Sequence, residues 1–111
     1  MRAGGLRHRV TIQSLGLVQD SESGEMIPGW VDAWEKVPAK FEYLNGHELL
    51  AAQTVQSEVT ARITIRYRAG VLATMRGLYR GEIWNFTKPL PDNNSGLDYL
   101  VIPVSAGVND G

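Results

Sequence analysis

Cysteine is absent from the chain, which excludes disulfide staples, thiol nucleophiles and cysteine-ligated metals. Histidine occurs only as His8 and His47, too little for a histidine-built metal site. No apolar run approaches the roughly 20 residues of a membrane-spanning helix. The opening Met1-Arg2-Ala3-Gly4-Gly5-Leu6-Arg7-His8-Arg9 is basic but has no apolar core of a signal peptide, so a cytoplasmic origin is the default expectation. An excess of either charge is lacking as well. Eleven Lys+Arg face 12 Asp+Glu for a formal net charge of −1, the wrong balance for a protein that coats nucleic acid by bulk charge. No catalytic triad, zinc signature, paired carboxylate motif or phosphate-binding glycine loop is present. An enzyme is therefore not expected, nor a cofactor or a bound metal.

What remains is 111 residues with 43% apolar side chains, enough for one domain over residues 1–111 with a modest core. The neutral total hides an uneven distribution. Residues 1–61 carry 5 positive and 8 negative side chains, residues 62–88 carry 6 and 1, and residues 89–111 carry none and 3. One basic band (+5) thus lies between two acidic regions (−3 each), a pattern suited to packing against copies of the same chain or a partner.

Period-two alternation dominates. Residues 6–13 place Leu6, His8, Val10 and Ile12 on one side and Arg7, Arg9, Thr11 and Gln13 on the other, a half-buried strand. Residues 19–25 are polar and turn-rich, a hairpin loop or mobile tip. Residues 29–35, with Trp30, Val31 and Trp34, form a second strand. Pro38 interrupts it and implies an edge, a bulge or a break. The pattern resumes over residues 39–44. Asn45-Gly46 signals a turn, and residues 47–56 form the only segment of helical composition. At about ten residues such a helix is marginal without packing. Residues 57–68 are the clearest strand, with Val59, Ala61, Ile63, Ile65 and Tyr67 facing one way and Glu58, Thr60, Arg62, Thr64, Arg66 and Arg68 the other. Residues 75–79 and 82–88 read as a hairpin around Arg80-Gly81, and residues 89–96 as a loop. Residues 97–104 form a last strand apolar on both faces, which implies burial on both sides. Residues 105–111 read as a frayed tail. About six short strands with one short helix make the fold mainly β, a small antiparallel barrel or sandwich.

His8, on an apolar face, reads as a satisfied core or rim histidine. His47 beside Glu48 has no nucleophile near it in the chain, so a surface turn is the expectation there. The aromatics, three Trp and four Tyr, with Arg62, Arg66 and Arg68 on one face, suggest as one reading a single-strand nucleic-acid-binding barrel. The competing expectation is that Trp30, Trp34, Trp84 and Phe86 serve a core or an interface.

Several ordered segments resemble one family. Leu6-Arg7-His8-Arg9-Val10-Thr11-Ile12-Gln13 is similar to the opening of the phage head–tail joining proteins, also called head–tail adaptor, head-completion or stopper proteins. Leu44-Asn45-Gly46-His47-Glu48 followed by Ala51-Ala52-Gln53 resembles the family's middle motif. Residues 58–71 resemble its signature strand, and Met75-Arg76 and Tyr79-Arg80-Gly81 come after that strand at family spacing. The resemblance covers residues 6–88. It departs at Pro38, where the family usually has an aromatic residue, and in the last strand.

The resemblance implies a β-barrel over residues 6–104 with an inserted loop and short helix at 44–57, assembling as a ring beneath the portal of a tailed phage head. Such a ring closes the DNA exit channel after packaging and offers the docking surface for the tail. The implied partners are further copies of the chain, a portal or adaptor ring on the head side, tail terminator or tail tube proteins on the tail side, and packaged double-stranded DNA without sequence specificity; no membrane is implied. The implied location is the virion, after synthesis in the host bacterial cytoplasm. Another connector or tail-terminator ring component is the alternative within structural proteins. The candidate channel-gating or docking loop comprises Gly46, His47, Glu48, Leu49, Leu50, Gln53 and Gln56. The candidate subunit interface comprises Arg62, Arg66, Arg68, Arg76, Glu58 and Trp30, with Asp20, Glu22, Asp32 or Glu35 of a neighbour as counter-charges. Of Trp30 and Trp34, one is expected in the core and one at an interface.

Overall fold

A computed structural model describes residues 5–92 and 96–107. The chain folds as β1 (His8–Gln19), β2 (Met26–Tyr43), α1 (Gly46–Thr54), β3 (Ala61–Arg66), β4 (Arg76–Tyr79), β5 (Glu82–Phe86), β6 (Leu90–Pro91) and β7 (Tyr99–Ala106). Strand order is β3-β2-β1-β4-β5-β7-β6, and β3 also pairs with β7. Six strands therefore close into a ring of antiparallel ladders, a small barrel, with β6 appended to β7 beyond the end of β5. Closure leaves the barrel without a free edge where aggregation would start.

Alternation fills the interior. Val10, Ile12, Ala39, Ala61, Ile63, Ile65, Ile102 and Val104 are wholly buried. At the β3–β7 seam Ile63 stands opposite Ile102 and Ile65 opposite Leu100. The expected face of the third strand holds for Ala61, Ile63 and Ile65, but Tyr67 lies past the strand end and is exposed, and Glu58 also falls outside the strand. The β4–β5 hairpin turns at Arg80-Gly81, both with positive φ (51° and 78°), the mirror-image turn that matches strand twist.

At Pro38 the bulge holds, of the edge, bulge or break expected there: β2 runs through Pro38 without a break, with Pro38 exposed opposite Arg9, and the register shifts between Val10 and Ile12, where Lys36 adopts φ 50°. Three expectations need correction. Residues 89–96 are not all loop, because Leu90 and Pro91 pair with Val101 and Leu100. The last strand is not buried on both faces: Leu100, Ile102 and Val104 are buried while Tyr99, Val101 and Pro103 are half-exposed. Ser105 and Ala106, expected in a frayed tail, belong to β7 and pair with Asn85 and Trp84, and Gly107 N–H donates to Ile83 C=O (2.8 Å); residues 108–111 of that expectation lie outside the described residues.

The molecule is longer than its barrel. Its radius of gyration is 15.2 Å, against about 13 Å for a compact chain of this length, and it measures 49 × 31 × 23 Å. The excess comes from β1 and β2. β4 pairs with β1 only up to Gln13, and β3 pairs with β2 only from Ala39. Yet β1 and β2 continue pairing out to Gln19 opposite Met26. Residues 14–31 therefore form a two-stranded arm that leaves the barrel with no third strand beside it.

Candidate functional site

Two segments leave the barrel, at opposite ends. β2 ends in Tyr43, and the chain then forms α1 before re-entering the barrel at Ala61. Asn45 caps α1: its side-chain oxygen accepts from Glu48 N–H and its own N–H donates to Glu48 Oε1, both at 2.9 Å, a reciprocal capping box. The Asn45-Gly46 signal thus starts a helix directly and makes no separate turn.

At the far end, Gln56 N–H donates to Gln53 C=O (3.0 Å) and Ser57 N–H to Ala52 C=O (2.8 Å), a Schellman ending. The residue in the left-handed position is Gln56, at φ 58°, where glycine would carry no steric penalty.

No residue of α1 is buried. Its fastening to the barrel is Glu48, whose Oε2 accepts from the Arg62 guanidinium of β3. Arg62 Nε also reaches Glu42 Oε1 at 3.5 Å, its directly opposite partner on β2. The hydrogen bond from Arg62, with that from the Asn45 backbone, holds the Glu48 carboxyl below the ordinary carboxylate range. Arg62 is in turn raised, chiefly by Glu48. His47, Leu50, Gln53 and Gln56 face solvent, Leu49 is half-buried, and Gly46 is exposed. Gly46, His47, Leu49, Leu50 and Gln53 are thus brought together on one helix, with Gln56 just past its C-cap. Glu48 is the exception, since it points back to the barrel.

The interface candidates do not share one free face. Arg62 is engaged within the chain. Arg66 lies over the Tyr99 ring (6.0 Å) and Arg68 over Trp34 (5.2 Å). Arg76 lies 4.2 Å from the centre of the Trp30 ring and donates from Nε to Gln13 Oε1, while Gln13 Nε2 donates to Asp32 Oδ1. Burial pushes the Arg76 guanidinium below its ordinary value. Arg76 and Trp30 thus meet at the root of the arm and brace it against β4. Asp32, a proposed counter-charge, is already held by Gln13. Trp34 packs against the core, while Trp30 sits half-buried under Arg76.

Trp84 and Phe86 are buried, and Trp30 and Trp34 lie beneath guanidinium groups. Cations and aromatics therefore pair with one another; they do not form the open stacking platform a single-strand binder uses. His8 is a satisfied rim residue, its Nδ1 sharing a 2.7 Å hydrogen bond with the Tyr79 hydroxyl.

The arm is only partly legible in the sequence. Its turn is an ordered loop. Asp20 N–H donates to Glu25 C=O (2.7 Å), and the Asp20 carboxylate accepts from Ser23 Oγ (2.8 Å) and Glu22 N–H (3.2 Å). These bonds, the Glu22 N–H first, hold the Asp20 carboxyl below its ordinary value. Leu15 and Leu17 continue period two past Gln13, but the adjacent apolar pairs Leu17-Val18 and Met26-Ile27 break it, so the arm's length has no clean signal.

Among the described residues no cluster of His, Asp and Glu could hold a metal ion, and no helix is long and apolar enough to cross a membrane.

Comparison with known proteins agrees with this architecture. The profile of the phage head completion protein family matches residues 1–107. Head completion protein gp7 of Enterobacteria phage HK97 is 29% identical over 101 residues, covering 86% of this chain and 88% of that protein. The solution structure of protein SF1141 from Shigella flexneri 2a superposes with a TM-score of 0.72 at 30% identity, covering 98% of this chain and 99% of that one. With the profile spanning nearly every residue and a relative of matching length, the chain belongs to the phage head completion protein family.

Proposed function

We propose that this protein completes the head of a tailed phage as a ring at the head–tail connector, closing the DNA exit channel after packaging and offering the surface on which the tail docks. The observation that carries the reading is family membership over residues 1–107. The barrel supplies a rigid body without free edges, as a ring component requires. Its partners in this reading are further copies of itself, a portal or adaptor ring above and tail proteins below.

The channel-closing element is α1. Its sequence, GHELLAAQT, holds no Lys or Arg, so it can obstruct DNA without gripping phosphates that must later leave. It is fastened by one carboxylate–guanidinium contact and buries no residue, so it can be displaced without disturbing the core. Leu50 and Val55 are exposed on it and its cap, available for contact with neighbouring copies once assembled.

The test is deletion of residues 48–56 in the phage. The barrel is expected to remain folded, while heads assemble, package and then lose DNA. Heads that retain a full genome would contradict the gating role; a tail-side particle carrying the chain in place of the head would point to a tail-terminator component.

A further inference from the structure

The arm is built in a way water does not favour. A two-stranded ribbon is marginal alone, and this one is apolar on both faces. Directly opposite residues share a face, so Leu15, Leu17, Pro28 and Met26 lie on the side continuous with the barrel exterior, and Val18, Ile27 and Val31 on the other. Leu15 and Leu17 are 60% and 62% exposed. The arm ends in an acidic turn whose Glu22 and Glu25 carboxylates enter no ion pair among the described residues.

A groove of about 360 Å³ carries the complementary chemistry. Its floor includes Val71, Leu72, Pro89 and Leu100, and its cations are Arg68 and Lys88. Neither cation enters an ion pair among the described residues, and Arg68 Nε is buried there with no hydrogen-bond partner. The groove lies at the arm's end of the barrel, since Arg68 stacks on Trp34 where β2 leaves the barrel for the arm. From there its floor reaches Leu100 of β7, two strands from β2 and three from β1 around the ring.

An apolar arm with an acidic tip and an apolar groove with a basic rim, two different surfaces of one subunit, are the two halves of a heterologous contact. We propose that the arm of one copy lies in the 67–73/88–89 groove of the next, with Leu15 and Leu17 on its floor and Glu22 and Glu25 at Arg68 and Lys88. The occupant is a second copy of this chain, because the same chain carries both surfaces with matched charge. This inference rests on the ring reading above and specifies its joint.

Because the chain has no cysteine, an engineered pair supplies the chain's only thiols. Phage carrying Leu17→Cys with Leu72→Cys should give, on oxidation of purified heads, a disulfide-linked ladder of this chain, and each single variant should give none. Dimers from Leu17→Cys alone would show arm-to-arm pairing and overturn the proposal. So would the double variant present in heads but uncrosslinked, or crosslinked only to another virion protein; the ring reading survives each of these. Absence of the wild-type chain from heads would instead remove the ring reading, and this joint with it.

Should the thiol variants fail to incorporate, charge reversal decides. Glu22→Lys with Glu25→Lys should lower infectious yield by at least about tenfold, and adding Arg68→Glu with Lys88→Glu should restore most of it. No loss, or a loss without restoration, would overturn the joint.

Discussion

The arm and the helix are the two parts of this molecule that the barrel does not bury, and they are made oppositely. The arm is apolar on both faces, paired along its whole length and closed by a hydrogen-bonded turn. It is incomplete, a surface waiting for cover. The helix has no fully buried residue and is fastened at Glu48 and Arg62. It is complete and loosely attached. In a head completion protein the first design suits a joint and the second a movable obstruction, so exposure alone does not tell which role a segment has.

The largest effect that would break this contrast is expected at Gly29. A Cβ there would lie 2.6 Å from Val18 Cγ2 and 3.1 Å from Cγ1, and β-branched Val18 has little rotamer freedom to give way. Gly29→Ala should destabilise the arm by about 1–3 kcal/mol. Hydrogen exchange should show lost protection at residues 14–19 and 26–31 with barrel amides unchanged. Uniform loss across the barrel would mean that the arm is not a separate unit.

Arg76→Ala comes next. It removes the brace over Trp30 and the bond to Gln13, and should cost about 1–2 kcal/mol, read by urea unfolding and as a shift of the Trp30 emission. Unchanged emission would place the brace elsewhere.

The helix should answer to acid through Glu48. Glu48 has a lowered pKa in the folded protein, so its contribution is fully present above its unfolded value and is lost as pH falls through the lower, folded value. The helix should stay fastened at mildly acidic pH and come free only below the ordinary carboxylate range. Amide exchange of α1 against pH would show this, and Glu48→Gln should leave α1 loose at every pH. Release of α1 well above the ordinary carboxylate range would contradict the role of Glu48.

The smallest effect is expected at Gln56. Gln56→Gly relieves a left-handed residue at the Schellman ending and should steady the helix by roughly 1 kcal/mol, visible as slower exchange in α1. If α1 must move to release DNA, the same change should slow ejection.

Much of the barrel was legible because burial imposes period two: Val10, Ile12, Ala61, Ile63 and Ile65 fall on the faces their spacing assigns. Pro38 marks the bulge that is one of its readings, and it sits outside the β2–β3 ladder, so the missing N–H breaks nothing there. The failures have physical causes. Leu90 and Pro91 look like loop because a two-residue strand has no period. The arm is hard to read because both of its faces are apolar, and period two marks a strand only when its faces differ. Glu48 and Arg62 fall to separate sites on sequence grounds, 14 residues apart in the chain; only the β2–β3 pairing that sets Glu42 opposite Arg62 brings the helix start over β3.

The most direct measurement is electron cryomicroscopy of DNA-filled, tail-less heads. The account predicts a ring of these barrels below the portal, each arm lying on the next subunit and each α1 pointing into the channel against the terminal DNA. A ring with α1 directed outward and the channel open, or heads that hold their DNA with no copy of this chain at the connector, would contradict it.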